Sequence, residues 1–334
     1  MSFNIKKPFF TICTEVTNRE RTIERTMQSI SIQNFIDYEY VIVDNSSSDK
    51  SHEVISNFLK QNNELKVKTT YIRLDKKLKD IASWNKPLEF ANGRYVVVCE
   101  GDDWFEPNHL SLAYDILSSN SNIGMYVSFR VDRADLISTD YKGYLDSSII
   151  LDKLTSFDFV PPPSNVIFKK ELNGVPFNYD SDNYVYAGEF SLYYDLLIQK
   201  LDVYVNFDAF TVNRGISTYR KGFFHTKDMY FSFNNWLKSG HYPSNELQIR
   251  MKLYKSTLQR LFFPQLISFT FEKDMIAHLF NEARKIGVIQ SFTIFASSLF
   301  FFAIATLTLI SKKIVKRLLP NKIVIFLSRK RFSK

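Results

Sequence analysis

The chain has 334 residues and carries 43 Lys and Arg against 35 Asp and Glu, a formal net charge of +8. Nine of the cations and no acid lie between Lys312 and Lys334, which leaves 34 cations against 35 acids in residues 1–311. The body is therefore nearly neutral, which excludes a globally basic nucleic-acid-binding protein. An apolar content of 45% excludes a disordered chain.

Cysteine content and the N-terminus indicate where the body resides. Cys13 and Cys99 each lie within an apolar run, which is typical of reduced, buried thiols rather than of a disulfide framework. The first ten residues, MSFNIKKPFF, lack the long apolar stretch of a signal peptide. We therefore expect the body to stay in the cytoplasm.

Strand-like and helix-like patterns alternate over the first hundred residues, which is typical of βαβ units around a parallel sheet. The predicted strands are 9–14, 40–43, 67–72 and 95–99, and the predicted helices between them are 20–32, 52–61 and 81–91. Thr17 and Asn18 are the candidate N-caps of the first helix. Weaker patterns predict helices at 110–117 and 190–200, strands at 124–129 and 165–168, a proline turn at 161–163 and further helices between 227 and 286.

Polar side chains follow three of the predicted strands. These clusters are Thr14–Asn18, Asp44–Asp49 and Glu100–Asp103. Because ligands bind at the carboxyl ends of the strands in open α/β sheets, we expect the three clusters to line one cleft.

The third cluster places Glu100, Asp102 and Asp103 within four residues. Hard divalent cations bind clustered oxygen ligands, so this segment predicts a metal site whose remaining ligands are substrate phosphates. The alternative is a solvated acidic turn in which Asp103 caps the following helix.

The other two clusters offer contacts to a nucleotide. Asp44 ends an apolar strand, where its carboxylate could accept a hydrogen bond from a ribose hydroxyl or a base N–H. Asp49 is instead a candidate N-cap of the next helix. Residues 14–19 could line the same cleft or serve only as a loop and a cap.

Several well-known site motifs do not occur in the sequence. There is no GxGxxG and no GxxxxGK[ST], which argues against a dinucleotide-dependent oxidoreductase and a P-loop kinase. HExxH, a paired CxxC and GxSxG are also missing.

In their order along the chain, these segments resemble the inverting family 2 glycosyltransferases of bacterial polysaccharide biosynthesis. The matching segments are TICTEVTNRE at 11–20, Ser29 to Gln33, Val43 to Asp49, Asn85 with Ala91 to Tyr95, and Glu100 to Pro107. The resemblance covers residues 8 to about 110 and continues more loosely to about 220. It implies the GT-A fold, an α/β fold with a mostly parallel central sheet flanked by helices.

The resemblance also implies roles for individual residues. Asp44 would contact the base or ribose of a nucleotide sugar, with Thr14 and Glu15 beside a uracil-like ring. The other candidate nucleotide-binding residues are Asn18, Ser47 and Asn85. Asp102, with Glu100 or Asp103, would hold Mn²⁺ or Mg²⁺ on the diphosphate. Glu100 departs from the family, where Asp is usual.

Two further candidates lie in the second half of the chain. Glu189 matches the position of the family's catalytic base, although the second acid of the family's pair is Phe190 here; Asp195 and then Asp182 are the reserve candidates. A glutamate favoured at a helix start by the dipole is the alternative for Glu189. Arg214 opens a loop, followed by Arg220, Lys221 and His225, that would close over the diphosphate and stabilise its developing charge. Solvated surface cations are the alternative there.

The C-terminal segment has the composition of a membrane-associating tail. Residues 288–310 contain no charge, and the nine cations follow. A single span would place those cations outside, against the positive-inside rule, so we expect a re-entrant or in-plane helix followed by a basic amphipathic one. The expected domains are 1–226 (nucleotide-binding half 1–110, acceptor half 111–226), a helical extension 227–287, and the tail 288–334.

Together these features predict a glycosyltransferase. It would transfer a sugar from a nucleotide-diphosphate donor, UDP-linked by the family pattern, to a hydroxyl of a lipid-linked glycan at the cytoplasmic face of the cell membrane. The tail would bind anionic lipid, and no nucleic-acid partner is expected. One alternative is a nucleotidyltransferase acting on sugar phosphates, which normally needs a glycine in the loop after the first strand. The other is a membrane-docked, non-catalytic scaffold.

Overall fold

The chain forms two compact units, residues 1–243 and 244–334. The computed structural model describes residues 7–130, 143–146, 149, 163–172, 196, 199–213, 246–262, 279–280, 283–287 and 289–299. Each unit is described below by itself.

The first unit is built around one nine-stranded sheet. Its strands are β1 Phe10–Val16, β2 Tyr38–Asp44, β3 Thr69–Arg73, β4 Tyr95–Val98, β5 Trp104–Phe105, β6 Ile123–Arg130, β7 Gly143–Leu145, β8 Val166–Lys169 and β9 Asp202–Asn213. Its helices are α1 Ile23–Ser31, α2 Ser51–Gln61, α3 Asn63–Lys68, α4 Asp80–Asn85 and α5 His109–Ser119, with 3₁₀ turns at Lys86–Phe90 and Pro163–Asn165.

The strand order is β3-β2-β1-β4-β8-β6-β9-β5, and β7 pairs with β9. Strands β3, β2, β1 and β4 are mutually parallel, whereas β8 runs antiparallel to both β4 and β6. Strand β9 is parallel to β6 and antiparallel to β5 and β7. The predicted α/β class and GT-A fold are confirmed: the first half of the sheet is parallel, and the second half is mixed.

The core follows directly from the sequence pattern. Strands β1 and β4 lie between other strands, and nearly all of their residues are buried. Helix α1 buries Ile23, Met27 and Ile30, which recur at helical spacing. One core joins the sheet to α1, α2 and α5.

The structure corrects several predicted boundaries. Helix α1 begins at Ile23 with Thr22 at its N-cap position, rather than at Thr17 or Asn18. The predicted strand 67–72 is a strand only from Thr69, because the preceding residues form α3. The predicted helix 81–91 ends at Asn85 and continues as a 3₁₀ turn with Pro87 at its start.

The second unit contains a helix, α6, at Glu246–Thr257, followed by a π-helical turn at Leu258–Phe262. Residues 279–280, 283–286 and 289–299 are also helical. These segments line an open pocket of about 280 Å³ with largely apolar walls, including Leu258, Phe262, Phe292 and Phe295. Within the described ranges, no helix is both long enough and apolar enough to cross a bilayer.

Candidate active site

The three polar clusters lie at one edge of the sheet, as predicted. Strand β1 lies between β2 and β4 and is parallel to both, so the carboxyl ends of all three strands point the same way. Val16 pairs with Asp44, and the amide of Cys99 donates to the carbonyl of Cys13 at 3.0 Å. The three clusters that the sequence places after β1, β2 and β4 therefore lie at the same edge of the sheet.

The acidic turn, residues 100–103, places three carboxylates together. One oxygen from each of Glu100, Asp102 and Asp103 lies within 4.8 Å of the others. Glu100 and Asp102 are partly exposed, whereas Asp103 is buried. The arrangement is a compact set of hard oxygen donors with two members facing solvent, which is the chemistry that a divalent cation requires.

Helix α1 and the residue before it fix the backbone of the acidic turn. The Thr22 hydroxyl donates to the Gly101 carbonyl at 2.8 Å, and the Thr26 hydroxyl donates to the Asp103 carbonyl at 2.7 Å. A Cβ at Gly101 would lie 3.2 Å from the Glu15 carbonyl oxygen, so the glycine permits the turn to pack against the loop after β1. The turn is thus held by buried or partly buried contacts from α1 and β1.

The Ser29–Gln33 motif fixes the chain that leaves the acidic turn. The Phe105 amide donates to Ser29 Oγ at 3.2 Å. Gln33 Nε2 donates to the Glu106 carbonyl at 2.8 Å, and Gln33 Oε1 accepts from the Leu110 amide at 3.2 Å, at the start of α5. The Ser29–Gln33 motif therefore has a positioning role that its sequence pattern did not predict.

A cation lies beside the acidic turn. Arg19 Nε is 3.6 Å from Asp102 Oδ1. On the other side, an Arg25 amino group donates to the Asp102 carbonyl at 3.3 Å while its guanidinium carbon lies 3.4 Å from the centroid of the Trp104 ring. Arg19 therefore pairs with the Asp102 carboxylate, and Arg25 with the backbone.

Asp44 has no exposed surface in this conformation. Its Oδ1 accepts from the Ser47 amide at 2.8 Å, and its Oδ2 lies 3.4 Å from the Tyr71 hydroxyl and 3.6 Å from Arg73 Nε. Burial and the Asp44 charge raise the pKa of Tyr71. A nucleotide can contact Asp44 only if neighbouring groups that bury it, such as the Arg73 side chain, move aside.

Asn18 and Ser47 join the loops that follow β1 and β2. Ser47 Oγ accepts from the Asn18 amide at 3.0 Å, and Asn18 Oδ1 accepts from the Ser48 amide at 2.9 Å. Asn18 has φ +54° and Ser46 φ +56°, a region in which Asn is common but Ser is not. In this conformation both predicted ligand residues shape the cleft through hydrogen bonds to each other's loop.

The remaining residues that are predicted to bind the nucleotide differ in their exposure to solvent. Thr14 is buried and accepts from the Tyr40 hydroxyl at 3.1 Å. Glu15 is half-buried, and burial raises the pKa of its carboxyl even though Thr17 and Arg19 oppose the shift. Asn85, also half-buried, is the last residue of α4. Burial therefore favours the protonated form of the Glu15 carboxyl.

Several residues at this edge were not predicted. Arg73 ends β3, which is parallel to β2, so the rule applied to the other three strands would have found it. Asn45 Oδ1 accepts from the Leu78 amide at 2.7 Å, and Asn45 Nδ2 donates to the Leu78 carbonyl at 3.1 Å. Ser164 Oγ accepts from the Glu100 amide at 3.3 Å, which links the acidic turn to the start of β8.

Some predicted residues lie outside the described part of the chain. They are the candidate bases Glu189, Asp195 and Asp182 and the loop residues Arg214, Arg220, Lys221 and His225. Residues 300–334, with the nine-cation segment, also lie outside it. Their roles remain predictions.

Sequence comparison identifies the domain that carries this site. The Glycosyl transferase family 2 profile matches residues 11–172. Residues 11–172 are therefore similar to the domains of glycosyl transferase family 2. The matched range contains the acidic turn, Asp44 and the loops that join them, so the family 2 domain includes every described residue of the candidate site.

Two curated relatives match different lengths of the chain. An uncharacterized Mycobacterium tuberculosis protein is 32% identical over 110 residues, which span 33% of this chain and 33% of that protein. The GalNAc(5)-diNAcBac-PP-undecaprenol beta-1,3-glucosyltransferase of Campylobacter jejuni is 24% identical over 257 residues, 75% of this chain and 79% of that enzyme. The chain thus spans a third of the first relative and most of the second.

Solved structures share the fold. S. aureus TarS 1-349 in complex with UDP-GlcNAc matches with a TM-score of 0.59 and 16% identity, over 84% of this chain and 81% of that chain. The Pyrobaculum calidifontis mannosyltransferase PcManGT, in complex with GDP-Man and Mn²⁺, matches with a TM-score of 0.52 and 14% identity, over 94% and 82%. At these identities the likeness establishes the fold of the family 2 domain.

Proposed function

We propose that this protein is a metal-dependent, inverting glycosyltransferase. It transfers one sugar from a nucleotide-diphosphate donor, UDP-linked, to a hydroxyl of a lipid-linked glycan in bacterial surface polysaccharide synthesis. The observation that carries the proposal is the acidic turn at the end of β4, which faces the loops after β1 and β2 in a family 2 domain. That edge of an α/β sheet is where nucleotides bind.

The residues present fit a divalent cation. Glu100, Asp102 and Asp103 supply only carboxylate oxygens, which suit Mn²⁺ or Mg²⁺ better than softer metals. Asp102 and Glu100 would hold the ion from the exposed side. The Glu100 side chain has one more methylene than an aspartate, and its carboxylate still lies within 4.8 Å of those of Asp102 and Asp103. When bound, the ion neutralises the charge that develops on the departing diphosphate. The PcManGT complex, which contains Mn²⁺, supports this assignment.

The nucleotide would occupy the cleft between the ends of β1 and β2. Glu15, Thr14 and Asp44 lie there, and Arg73 covers Asp44 in the described conformation. Asn18 holds the two loops together, because its amide donates to Ser47 Oγ and its Oδ1 accepts from the Ser48 amide. The UDP-GlcNAc complex of TarS supports a UDP-linked donor, although the sugar itself is not specified by these residues.

The transfer step requires a base on the face of the sugar opposite the diphosphate. Glu189 takes the proton from the acceptor hydroxyl as its oxygen attacks the anomeric carbon, and the bond to the diphosphate oxygen breaks in the same displacement. Arg214 stabilises the departing charge. Both assignments rest on the sequence pattern.

The acceptor is proposed to be lipid-linked because of the C-terminal unit. Ile289 is 80% and Phe292 72% exposed on the helix at 289–299, which lies within the uncharged run, and the nine cations follow that run. Apolar residues beside basic ones favour an anionic membrane surface. The undecaprenol-linked acceptor in the name of the Campylobacter jejuni relative supports the same conclusion.

Replacement of Asp102 tests the metal assignment. In the wild-type protein, Mn²⁺ should tighten UDP binding measured by isothermal titration calorimetry, because the ion bridges the carboxylates and the diphosphate. Asp102→Asn should remove that enhancement and lower transfer at least about 100-fold, since the metal supplies several kcal/mol to the transition state.

Asp115→Asn, on the exposed face of α5, removes an equal charge away from the turn and should leave UDP binding unchanged. Full Mn²⁺-dependent binding by Asp102→Asn would refute the metal assignment. A wild-type protein without any metal-dependent UDP binding would favour the scaffold.

Replacement of Glu189 tests the base. Glu189→Gln should abolish transfer to the lipid-linked acceptor while UDP binding with Mn²⁺ is retained, because the change removes only the proton acceptor. UDP release and calorimetry measure the two properties separately. If Asp195→Asn, rather than Glu189→Gln, gives this result, Asp195 is the base.

A further inference from the structure

Arg19 is the cation that lies against the acidic turn, and its backbone is fixed. The Arg19 amide donates to Ser51 Oγ at 2.8 Å, and its carbonyl accepts from the amides of Thr22 and Ile23 at 3.0 Å. These contacts anchor the residue between the N-terminal ends of α2 and α1. Any movement of its charge must therefore come from the side chain.

The Arg19 side chain lies against Gly101 of the acidic turn, and its charge acts on the carboxylates of Asp102 and Glu15. Its Cγ lies 3.1 Å from the position that a Cβ at Gly101 would occupy, and its Nε lies 3.6 Å from Asp102 Oδ1. Its charge also lowers the pKa of Glu15, against the effect of burial. With 42% of the side chain exposed, the guanidinium has solvent available on one side.

The ion pair uses the carboxylate that the proposed metal also needs. The Asp102 side chain is only 18% exposed, so little of it is accessible to a divalent ion while Arg19 lies beside it. Two cations this close repel each other, so occupancy by one disfavours occupancy by the other.

We propose that Arg19 is an internal counter-ion of the acidic turn, which pairs with Asp102 until a divalent ion and the donor diphosphate displace it. This inference rests on the proposed metal-dependent function. It assigns to Arg19 a positioning role: Arg19 weakens binding of the bare metal, so that the ion binds well only when the diphosphate accompanies it.

Mn²⁺ affinity without nucleotide is the direct test, and electron paramagnetic resonance of free Mn²⁺ measures it in the full chain. Arg19→Gln should bind Mn²⁺ at least about threefold more tightly than the wild type, because a competing ion pair of modest strength is lost. Arg19→Lys, which keeps the charge, should bind with an affinity between the two. With UDP present, the difference between wild type and Arg19→Gln should shrink.

Arg21→Gln is the matched control, since it removes an exposed charge of the same sign from the same loop. It should change Mn²⁺ affinity by less than about twofold, because exposed charges at a distance are screened. Thermal unfolding of each variant checks that the fold is intact.

Equal or weaker Mn²⁺ binding by a folded Arg19→Gln, with Mn²⁺-dependent UDP binding retained in the wild type, refutes the counter-ion role alone. Absence of Mn²⁺ binding in every variant, with and without UDP, refutes the proposed metal dependence as well.

Discussion

Single side chains at the edge of the cleft act mainly by fixing backbone. Gln33 is the clearest case, because its buried amide joins three segments through the carbonyls of Ser29 and Glu106 and the amide of Leu110. The Leu110 amide is buried, so removal of Gln33 would leave it without a hydrogen-bond partner. The chain leaving the acidic turn is therefore as well fixed as the turn itself.

Gln33→Met should lower the free energy of unfolding by about 2–4 kcal/mol, because buried polar groups lose their partners while the volume stays similar. Urea unfolding measures the change. Gln28→Met, an exposed position on α1, is the control and should lie within about 0.5 kcal/mol of wild type. A Gln33 variant as stable as the control would show that the three bonds do not contribute.

At the level of elements, α5 is tied to β9 through a histidine. His109 Nδ1 lies 2.7 Å from Thr211 Oγ1, and its ring stacks on Phe105 with centroids 4.0 Å apart. Its Nε2 is buried and has no hydrogen-bond partner among the described residues. Burial lowers the pKa of His109 from 6.5 to about 3, so the ring is neutral in the folded protein.

This shift predicts acid sensitivity with a defined direction. Below pH 6.5 the unfolded chain binds a proton at His109 that the folded chain does not bind until about pH 3, so stability falls as the pH is lowered through this window. At pH 5 the loss is about 2 kcal/mol relative to pH 8.

His109→Asn keeps a polar group for Thr211 but does not titrate. Urea unfolding at pH 8 and pH 5 should therefore show a smaller loss in this variant than in wild type. An equal loss in both proteins would assign the acid sensitivity to other groups.

At the level of the whole molecule, the net positive charge is confined to the C-terminal segment. The nine cations at 312–334 follow the helix at 289–299, whose exposed apolar residues include Ile289 and Phe292. We expect this basic segment, rather than the neutral body, to contact an anionic leaflet, because the attraction acts within about a Debye length of the surface.

Replacing Lys312, Lys313, Lys316 and Arg317 together by Gln should weaken binding to vesicles with 30 mol% anionic lipid by at least about 100-fold, since each cation contributes about 1 kcal/mol. Vesicle co-sedimentation measures this. The control replaces four exposed body lysines (Lys60, Lys66, Lys76 and Lys77) and should bind like wild type. Equal binding by both variants would place the membrane contact elsewhere.

Local sequence patterns were sufficient to predict the strands whose residues are buried without interruption. Strands β1, β2 and β4 are apolar runs, and the polar residues that follow them lie together in the cleft, as predicted. Strand β9 was not predicted, because Asn206 and Asp208 interrupt its apolar run and its place in the sheet depends on three distant strands. The pairing of Arg19 with Asp102 and of Arg73 with Asp44 depends on tertiary distance, which no spacing in the sequence encodes.

The pairing of β5 with β9 has a consequence for the order in which the site forms. Trp104 pairs with Asn213, and Asn213 also donates to the Glu106 side chain across 107 residues of sequence. As the chain leaves the ribosome, β1, β2 and β4 can assemble early, but among the described residues β5 gains its strand partner only when residues 212 and 213 have emerged. A nascent chain that stops before that point would hold the acidic turn and its contacts with Ser29 and Gln33, without the pairing of β5 and β9.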